Sequence, residues 1–227
     1  MKSLKPFRSL ASRHLRPEEL GTIYRLLRNA FGHQHWWPGE SPFEVMIGAI
    51  LTQNTAWANV EKAIRNLKDA HQLTPQALRV MTKPKLARLI RPAGYFNIKA
   101  DRIKHFISFL FSEYRGSLKR MFSEKGESLR QKLLALKGIG PETADSILLY
   151  AAQKPFFVID AYTRRIFGRH GLYDPSKTYE DWRILFEKFL PRTVGLFNDF
   201  HAQIVYLGKN FCKTKPQCAS CPLQRFL

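Results

Sequence analysis

The stretch LLALKGIGPETADSILLYA, residues 133 to 151, contains two helical segments joined by a glycine turn. Gly138 and Gly140 allow the backbone to turn tightly and to approach a ligand without a clash from a Cβ atom. Pro141 is typical of the first position of a helix, and that helix start would offer unpaired N–H groups, which suit a phosphate. Lys137 adds a cation at the same end. The pattern alone also fits an ordinary connection between two helices.

Most of the remaining chain shows the three- and four-residue spacing of apolar residues that is typical of helices. This spacing is clear in EELGTIYRLLRNAF (18 to 31), DRIKHFISFLFSEY (101 to 114) and YEDWRILFEKFL (179 to 190). SPFE at 41 to 44 predicts a helix start of the capping-box type. FFVI at 156 to 159 is strand-like but too short to predict a sheet. We therefore predict an all-α fold.

The charge balance points to a polyanionic partner. Among 227 residues there are 37 Lys and Arg against 18 Asp and Glu, which gives a net charge of +19. Solubility alone needs roughly 2–8 charges for a small domain, whereas neutralising phosphates releases counterions and strengthens binding to nucleic acid. Nucleic acid is the first choice and an anionic membrane surface the second. No apolar run reaches the roughly 20 residues of a membrane span. The basic residues 1 to 16 precede no cleavage signal, so we expect a cytoplasmic, nucleoid-associated protein.

A carboxylate twenty residues after the turn makes the pattern specific. LKGIGPETAD (136 to 145) followed by VIDAYTRR (158 to 165) resembles the helix–hairpin–helix (HhH-GPD) DNA glycosylase superfamily, best known from endonuclease III. The resemblance implies that the hairpin grips the DNA backbone and that Asp160 is catalytic at the mouth of a base-binding pocket. The backbone-binding residues would then be Lys137, Gly138, Gly140 and Thr143. The alternative role for Asp160 is a helix cap or an ion pair with Arg164.

A base-excising enzyme must extrude its target from the base stack. It then needs a wedge to fill the gap and a carboxylate to stabilise the sugar as it gains oxocarbenium character. GAILTQNT (48 to 55) resembles the family segment whose Gln is that wedge, which assigns the role to Gln53. Bifunctional members have a Lys two residues after the second glycine, and it forms a Schiff base with the sugar. This chain has Glu142 there, so we predict a monofunctional glycosylase without lyase activity, in which water is the nucleophile.

Five segments resemble, in the same order, the 3-methyladenine DNA glycosylase III branch: WWP, GAILTQNT, RPAGYFNIKA, the glycine turn and FHAQIV. In that branch the WWP residues and an aromatic after LTQNT line the base pocket. Here those residues are Trp36, Trp37, Pro38 and Trp57. Indole rings attract a cationic base such as 3-methyladenine by roughly 0.5–2 kcal/mol. Paired tryptophans are also common in cores, and aromatic pockets accept mismatched or oxidised pyrimidines, so an endonuclease III-like specificity stays open.

The C-terminal cysteines form the pattern C-x5-C-x2-C, with Cys212, Cys218 and Cys221. This resembles the endonuclease III loop that holds a [4Fe–4S] cluster through four cysteines. The fourth would be expected about six residues after Cys221, where this chain has Leu227. Three interpretations stay open: an incomplete or labile cluster, a zinc ion with an outside ligand such as His201, and no metal. The glycosylase chemistry itself requires no cofactor.

The resemblance implies a two-lobed fold with the DNA-binding cleft between the lobes. One helical lobe would run from residue 34 to 150 and end in the hairpin. The other would combine residues 1 to 33 with 151 to 227 and carry Asp160 and the cysteine loop. We expect a monomer that binds double-stranded DNA with a damaged base and does not bind a membrane. The alternative function is a catalytically silent module that only binds DNA or recruits partners.

Overall fold

The computed structural model describes residues 16–36, 39–172 and 174–226 of the chain. Within these residues the secondary structure is helical and contains no strand, so the predicted all-α class is confirmed. The α-helices, in chain order, are α1 (Pro17–Phe31), α2 (Pro42–Leu51), α3 (Trp57–Asp69), α4 (Pro75–Val80), α5 (Lys83–Leu89), α6 (Phe96–Tyr114), α7 (Leu118–Ser123), α8 (Gly126–Leu134), α9 (Pro141–Ser146), α10 (Ala161–Arg169), α11 (Tyr179–Phe189) and α12 (Val194–Asn210). A π-helical segment, Ile147–Ala151, continues α9. None of the described helices has the length and apolar character needed to cross a membrane.

The start of α2 follows the sequence signal in part. Ser41 is the N-cap, its hydroxyl accepts the N–H of Glu44 at 3.2 Å, and Pro42 takes the first helical position. The Glu44 carboxylate reaches back, but to the N–H of Glu40 at 3.3 Å rather than to that of Ser41. It also pairs with Lys68 of α3 at 2.8 Å. The predicted capping box is therefore half formed, because its acid also ties α2 to α3.

The strand-like run FFVI forms no strand. Residues 156–159 are each at most 2% exposed. Four consecutive apolar residues are buried whatever their backbone conformation, and an extended segment becomes a strand only where a partner segment pairs with it. Here the run serves as a buried connection that leads directly to Asp160.

The chain divides into two compact units. The hairpin unit is Trp37–Phe156, and the terminal unit is Met1–Trp36 together with Phe157–Leu227. In the hairpin unit α2 is central: every residue from Phe43 to Leu51 is buried, and the helix packs against α3, α6, α9 and the π-helical segment. The loop that follows α2 therefore starts from a helix fixed on several sides.

The terminal unit is built around α12, which packs against α1 and α10. Its core is a cluster of fully buried phenylalanines: Phe157, Phe186, Phe197 and Phe200. The ring centroids of Phe157 and Phe186 lie 4.5 Å apart, and those of Phe157 and Phe197 lie 5.3 Å apart with the rings nearly perpendicular. These are favourable aromatic geometries. They hold the segment before Asp160 firmly on α11 and α12.

Candidate active site

Residues 126–151 form a helix–hairpin–helix, in which a turn with two glycines joins α8 to α9. Gly138 has a φ of +92°, and a Cβ atom there would lie 2.5 Å from Cγ of Arg102. Gly140 is extended and exposed, and a Cβ there would meet no described atom within 4 Å. Packing therefore requires glycine at position 138. At position 140 glycine leaves exposed backbone accessible to a ligand.

A buried ion pair joins the two helices of the hairpin. Arg130 of α8 donates from Nε to Oδ1 of Asp145 at 2.6 Å and from Nη2 to Oδ2 at 3.1 Å. The two side chains are 8% and 0% exposed. A bidentate pair of this kind fixes orientation as well as distance. It holds α8 and α9 at a set angle across the glycine turn.

The predicted DNA-backbone residues of the hairpin differ in exposure. Lys137 is exposed, but Thr143 is only 5% exposed and its hydroxyl accepts a hydrogen bond from Nε2 of Gln53 at 2.8 Å. A contact of Thr143 with a phosphate would therefore fall on its backbone N–H, since the first N–H groups of a helix have no intrahelical acceptor. Glu142, in the same turn of α9, is exposed. An acid at this position is favoured by the positive end of the helix.

The loop that joins α2 to α3 (residues 52–56) contains the predicted wedge, Gln53. This side chain is half-buried and turned toward the hairpin, where its Nε2 also donates to the carbonyl of Gly138 at 3.0 Å. Its Oε1 accepts a hydrogen bond from Nη1 of Arg102. The next residue, Asn54, is exposed and has a φ of +53°, which Asn adopts more readily than most residues. In the free protein Gln53 thus braces the loop, and Asn54 forms its exposed tip.

Trp57, the aromatic residue predicted to follow the loop in the base pocket, is the first residue of α3 and is half-buried. Its Nε1 donates to the Glu61 carboxylate at 2.8 Å. The indole lines a surface groove of about 310 Å³ whose acidic residues are Glu40, Glu44, Glu61 and Asp69. Its basic residues are Arg65 and Lys68, and Lys68 pairs with Glu40 and Glu44 at 2.8 Å. The groove is therefore of mixed charge, with the Glu61 carboxylate beside the indole nitrogen.

Asp160 is the N-cap of α10 and is 8% exposed. Its Oδ1 accepts the backbone N–H of Thr163 at 2.7 Å and the hydroxyl of the same residue at 2.8 Å. Its Oδ2 lies 3.6 Å from Nε2 of His201 on α12. Arg164, the other partner considered from the sequence, lies over the ring of Tyr179, 6.0 Å from its centroid. One oxygen of Asp160 is therefore a helix cap, and the other faces an imidazole.

The protonation state of Asp160 is set by opposing effects. Burial raises the pKa of its carboxyl, because it disfavours the charged form. The His201 imidazole and the two hydrogen bonds from Thr163 outweigh burial, so the pKa of Asp160 lies below its ordinary value. Asp160 is therefore ionised at neutral pH, which is the state needed to stabilise positive charge on a sugar.

Trp36 follows a segment that is tied to a buried acid, Asp199, which sequence inspection missed. Asp199 is 3% exposed and accepts hydrogen bonds from the backbone N–H of Gln34 at 3.2 Å, the Tyr24 hydroxyl at 2.9 Å and Nη1 of Arg28 at 3.0 Å. The signal was available, since an Asp directly before the apolar run FHAQIV lies in the middle of a helix. Asp199 fixes the approach of the chain to Trp36.

The Trp36 ring itself is half-buried, with Nζ of Lys209 5.5 Å from its centroid. That geometry is a cation–π contact. Trp37 and Pro38, the other two residues predicted for the base pocket in this stretch, lie outside the described residues. The indole face of Trp36 thus accommodates a cation in the free protein.

The three cysteines line one cavity of about 20 Å³, together with His170. Burial raises the pKa of the Cys221 thiol, and the neighbouring Cys212 and Cys218 add to that rise. Within the described part of the chain, however, no group of three His, Cys, Asp or Glu side chains is arranged to hold a metal ion. The loop supplies three of the four cysteine ligands that a [4Fe–4S] cluster takes. His201, considered as an outside zinc ligand, lies beside Asp160.

Two arginines of α10 hold the cysteine loop. Arg165 donates to the carbonyls of Cys212 at 2.8 Å and Gly208 at 2.9 Å. Arg169 donates from Nη1 to Sγ of Cys212 at 3.2 Å and to the carbonyl of Lys213 at 2.6 Å. These contacts link the loop directly to the helix that Asp160 caps.

Comparison with known proteins identifies the relatives of this chain. The sequence matches the HhH-GPD superfamily of base excision DNA repair proteins over residues 47–192. It is 44% identical over 211 residues to a Methanocaldococcus jannaschii protein provisionally named a DNA repair glycosylase, which covers 92% of this chain and 96% of that protein. It is 31% identical over 184 residues to endonuclease III of Thermotoga maritima, with 81% of each covered.

Two solved structures share the fold. The 3-methyladenine DNA glycosylase (MagIII) of H. pylori, bound to 1,N6-ethenoadenine, has a TM-score of 0.70 at 30% identity, over 85% of this chain and 95% of that one. A non-covalent complex of endonuclease III with DNA has a TM-score of 0.79 at 23% identity, over 93% of this chain and 95% of that one.

Proposed function

The chain belongs to the HhH-GPD superfamily of base excision DNA repair proteins, and from that membership we propose that it is a monofunctional DNA glycosylase. Its substrates are damaged bases in double-stranded DNA, in particular alkylated purines such as 3-methyladenine, and it removes them by hydrolysis. It works as a monomer in the cytoplasm and requires no cofactor for the chemistry.

The observation that carries this proposal is the state of Asp160. The carboxylate is ionised, one of its oxygens is fixed by Thr163, and the other oxygen faces His201. A carboxylate used only to stabilise a helix start would be as effective at an exposed position, as the capping box of α11 shows: the exposed Asp181 accepts the N–H and the hydroxyl of the N-cap residue Thr178, both at 2.8 Å. Burial of the charge beside an imidazole goes beyond what capping needs and is typical of an active site.

The reaction needs charge stabilisation more than acid catalysis. When the bond between C1′ and the base nitrogen breaks, the electron pair leaves with the base and positive charge develops on the sugar. The negative charge of Asp160 stabilises that sugar. Water then adds to C1′, and Asp160 accepts or directs the proton that the water releases. A base such as 3-methyladenine is cationic before cleavage and neutral afterwards, so its departure requires no proton from the protein.

We propose that the protein has no lyase activity, because it has Glu142 at the position where lyase activity would need a Lys. The bifunctional relatives have a Lys at the matching position, and its amine forms the Schiff base. A carboxylate cannot form one. Glu142 is exposed in the first turn of α9, where it serves the helix rather than a covalent step.

Aromatic residues support the preference for alkylated purines. By resemblance, Trp36, Trp37, Pro38 and Trp57 contact the base. The Trp36 ring accommodates the Lys209 ammonium, and the Trp57 indole bonds to the Glu61 carboxylate. An indole face favours a positively charged ring over a neutral one, and such a base would take the place of Lys209 at Trp36. The likeness to the H. pylori 3-methyladenine glycosylase, at 30% identity, points the same way.

A second candidate is an endonuclease III-like glycosylase for mismatched or oxidised pyrimidines. The 31% identity with endonuclease III of Thermotoga maritima favours it. The two candidates share Asp160 and the hairpin, and they differ in the base that is released.

The test is base release from three duplexes: methylated DNA, a G·T or G·U mismatch, and a duplex with an oxidised pyrimidine. Wild type and Asp160→Asn are compared, and the liberated bases are identified by chromatography. Asp181→Asn is the control, because it perturbs two hydrogen bonds from one threonine to one carboxylate oxygen at an exposed helix start. We expect wild type and Asp181→Asn to release 3-methyladenine, and Asp160→Asn to release none while still binding DNA. Release from the pyrimidine duplexes alone would establish the second candidate, and no release from any duplex would contradict both.

A further inference from the structure

Lys99 is a buried cation that the proposed reaction does not use. It lies on α6, is 1% exposed, and its Nζ has three acceptors. These are the carbonyl of Leu51 at 2.8 Å, the carbonyl of Ala93 at 2.8 Å and the hydroxyl of Thr55. An ammonium group has three donors, so this set satisfies it fully. The contacts bind the end of α2 and the far side of the α2–α3 loop to one point on α6.

Arg102 lies one turn further along the same face of α6 and holds the middle of the same loop. Its Nη1 donates to Oε1 of Gln53. Its aliphatic stem lies against the Cα atom of Gly138, where a side chain would clash with it. A single arginine therefore contacts both the loop and the glycine turn.

Gln53 completes the connection between loop and hairpin. Its amide nitrogen donates to the Gly138 carbonyl and the Thr143 hydroxyl, and its amide oxygen accepts from Arg102. All the polar atoms of this side chain are therefore engaged within the hairpin unit. Such an arrangement is typical of a structural strut.

We propose that Lys99 and Arg102 are positioning residues, which hold the α2–α3 loop and the hairpin in one arrangement with Gln53 as the strut between them. The inference rests on the proposed glycosylase function, because it concerns how loop and hairpin are presented together to damaged DNA. It assigns to Gln53 a different role from that of a wedge, since a side chain that enters the duplex would first have to give up its partners on the hairpin. The exposed residues of the loop are Asn54 and Ala56.

The structure offers a matched control on the same helix. Lys104 of α6 also donates to three acceptors, the carbonyls of Leu78 at 2.8 Å, Arg79 at 2.9 Å and Met81 at 2.7 Å. These acceptors belong to the end of α4, and none lies in the loop or the hairpin. Lys104→Met therefore removes a comparable set of hydrogen bonds without touching the proposed strut.

The experiment measures how well the protein distinguishes a duplex with an abasic site from one without it, rather than the release of a base. Fluorescence anisotropy gives the affinity for a duplex with a tetrahydrofuran abasic-site analogue and for the same duplex without it, at one salt concentration. We expect Lys99→Met and Arg102→Met to lower the ratio of the two affinities by about tenfold or more, because small misplacements of a recognition element are costly. Lys104→Met should change the ratio by less than about twofold, even if it lowers the melting temperature as much as Lys99→Met or Arg102→Met does.

A double-mutant cycle separates a strut from a wedge. If Gln53 acts through Arg102, then Gln53→Ala, Arg102→Met and the double variant should lose discrimination to the same degree. Losses that multiply in the double variant would show that Gln53 acts independently, and the proposal would be wrong. Should Lys99→Met fail to fold, the half-exposed Arg102 carries the test through this cycle.

Other outcomes are equally decisive. The proposal fails if wild type binds both duplexes equally, if the two variants keep the wild-type ratio, or if Lys104→Met loses as much as Lys99→Met. The abasic-site analogue has no base to release, so the ratio is measurable whatever the glycosylase assay gives. A wild type that releases no base but whose ratio responds as expected would contradict the proposed function and leave this inference standing.

Discussion

Thr163 donates both its backbone N–H and its hydroxyl to a single oxygen of Asp160, at 2.7 and 2.8 Å. The start of α10 thereby fixes the rotation of the carboxylate and directs its second oxygen toward His201. Two donors on one oxygen also favour the ionised form. The same residue thus orients the proposed catalytic group and keeps it charged.

Replacement of Thr163 by Val should slow base excision roughly tenfold or more, since a hydrogen bond to a charged group contributes about 1.5–3 kcal/mol. It should also move the acid limb of the pH–rate profile to higher pH. The reason is that the Thr163 hydroxyl lowers the pKa of Asp160, so its loss raises that pKa and protonates the carboxylate sooner. Profiles of wild type and Thr163→Val from pH 4 upward measure this. Thr178→Val, which removes the matching hydroxyl from Asp181, should leave the profile in place, and identical profiles for all three proteins would contradict the prediction.

Loss of one partner of the Arg130–Asp145 pair should destabilise the protein by about 3–5 kcal/mol, because it removes the bidentate partner of a buried charge. Urea denaturation of Arg130→Met and Asp145→Asn gives the free energy of unfolding. The control is Lys83→Met, which removes an exposed pair with Asp101 at 2.7 Å and should cost at most about 1 kcal/mol. Equal losses for buried and exposed pairs would show that the hairpin does not depend on this contact.

The pKa of Lys99 predicts a pH dependence of stability. Burial, assisted by the Arg102 charge, lowers the pKa of Lys99 from 10.5 to about 8 in the folded protein. Between these two values the unfolded chain binds more protons than the folded one. The unfolding free energy of wild type relative to Lys99→Met should therefore rise with pH through this window and be level below it. Urea denaturation at one-unit intervals from pH 7 to 10 measures the difference, and a fall across the window would contradict the prediction.

Glu142 gives a direct test of the missing lyase step. Wild type should give no borohydride-trapped adduct with an abasic-site duplex, because the proposed reaction uses water rather than an amine as the nucleophile. Glu142→Lys places an amine at the position where bifunctional relatives have one and should give a trapped adduct on a denaturing gel. Glu142→Gln is the control, since it removes the charge without adding an amine. A trapped wild-type adduct would overturn the monofunctional assignment.

The cysteine loop should depend on arginine contacts rather than on a metal. Arg169→Met removes the contacts with Cys212 and Lys213, so trypsin should cleave the loop after Lys213 faster than in wild type. Dialysis of wild type against a chelator should leave the cleavage rate unchanged. Metal analysis and the visible absorption spectrum of the purified protein accompany the test. Faster cleavage after chelation, with iron or zinc released, would show that a metal holds the loop.

The sequence predicted the helices and the hairpin because their signals are local. Glycine, proline and the spacing of apolar residues act within a few positions of one another, and the start of α9 at Pro141 follows from them directly. The partners of polar side chains are set at long range instead. Gln53 bonds across 85 positions to Gly138, and Asp199 across 175 positions to Tyr24. No local pattern predicts hydrogen bonds between residues so far apart in the sequence. The resemblance to the family therefore identified Gln53, but it did not predict which residues hold its side chain.

Some buried ionisable residues did leave a trace in the sequence. Lys99 lies four positions before Ile103 and seven before Phe106, which places it on the apolar face of α6. A lysine on such a face needs acceptors nearby, and the helix ends supply them. The half-formed capping box at Ser41 shows the limit of a local signal. The helix starts where the pattern predicts, but the Glu44 carboxylate bonds to Glu40 and Lys68 rather than to the N–H of Ser41.

The contact between Arg102 and Gly138 limits how freely the hairpin can be moved between proteins. The turn takes its shape partly from a residue outside residues 126–151, and the Thr143 hydroxyl is engaged by another. A peptide cut to the hairpin alone, or a graft of it onto a foreign scaffold, would lose both supports. A transplanted hairpin would need α6 and the α2–α3 loop as well to keep its shape, so the smallest exchangeable part is the set of three segments.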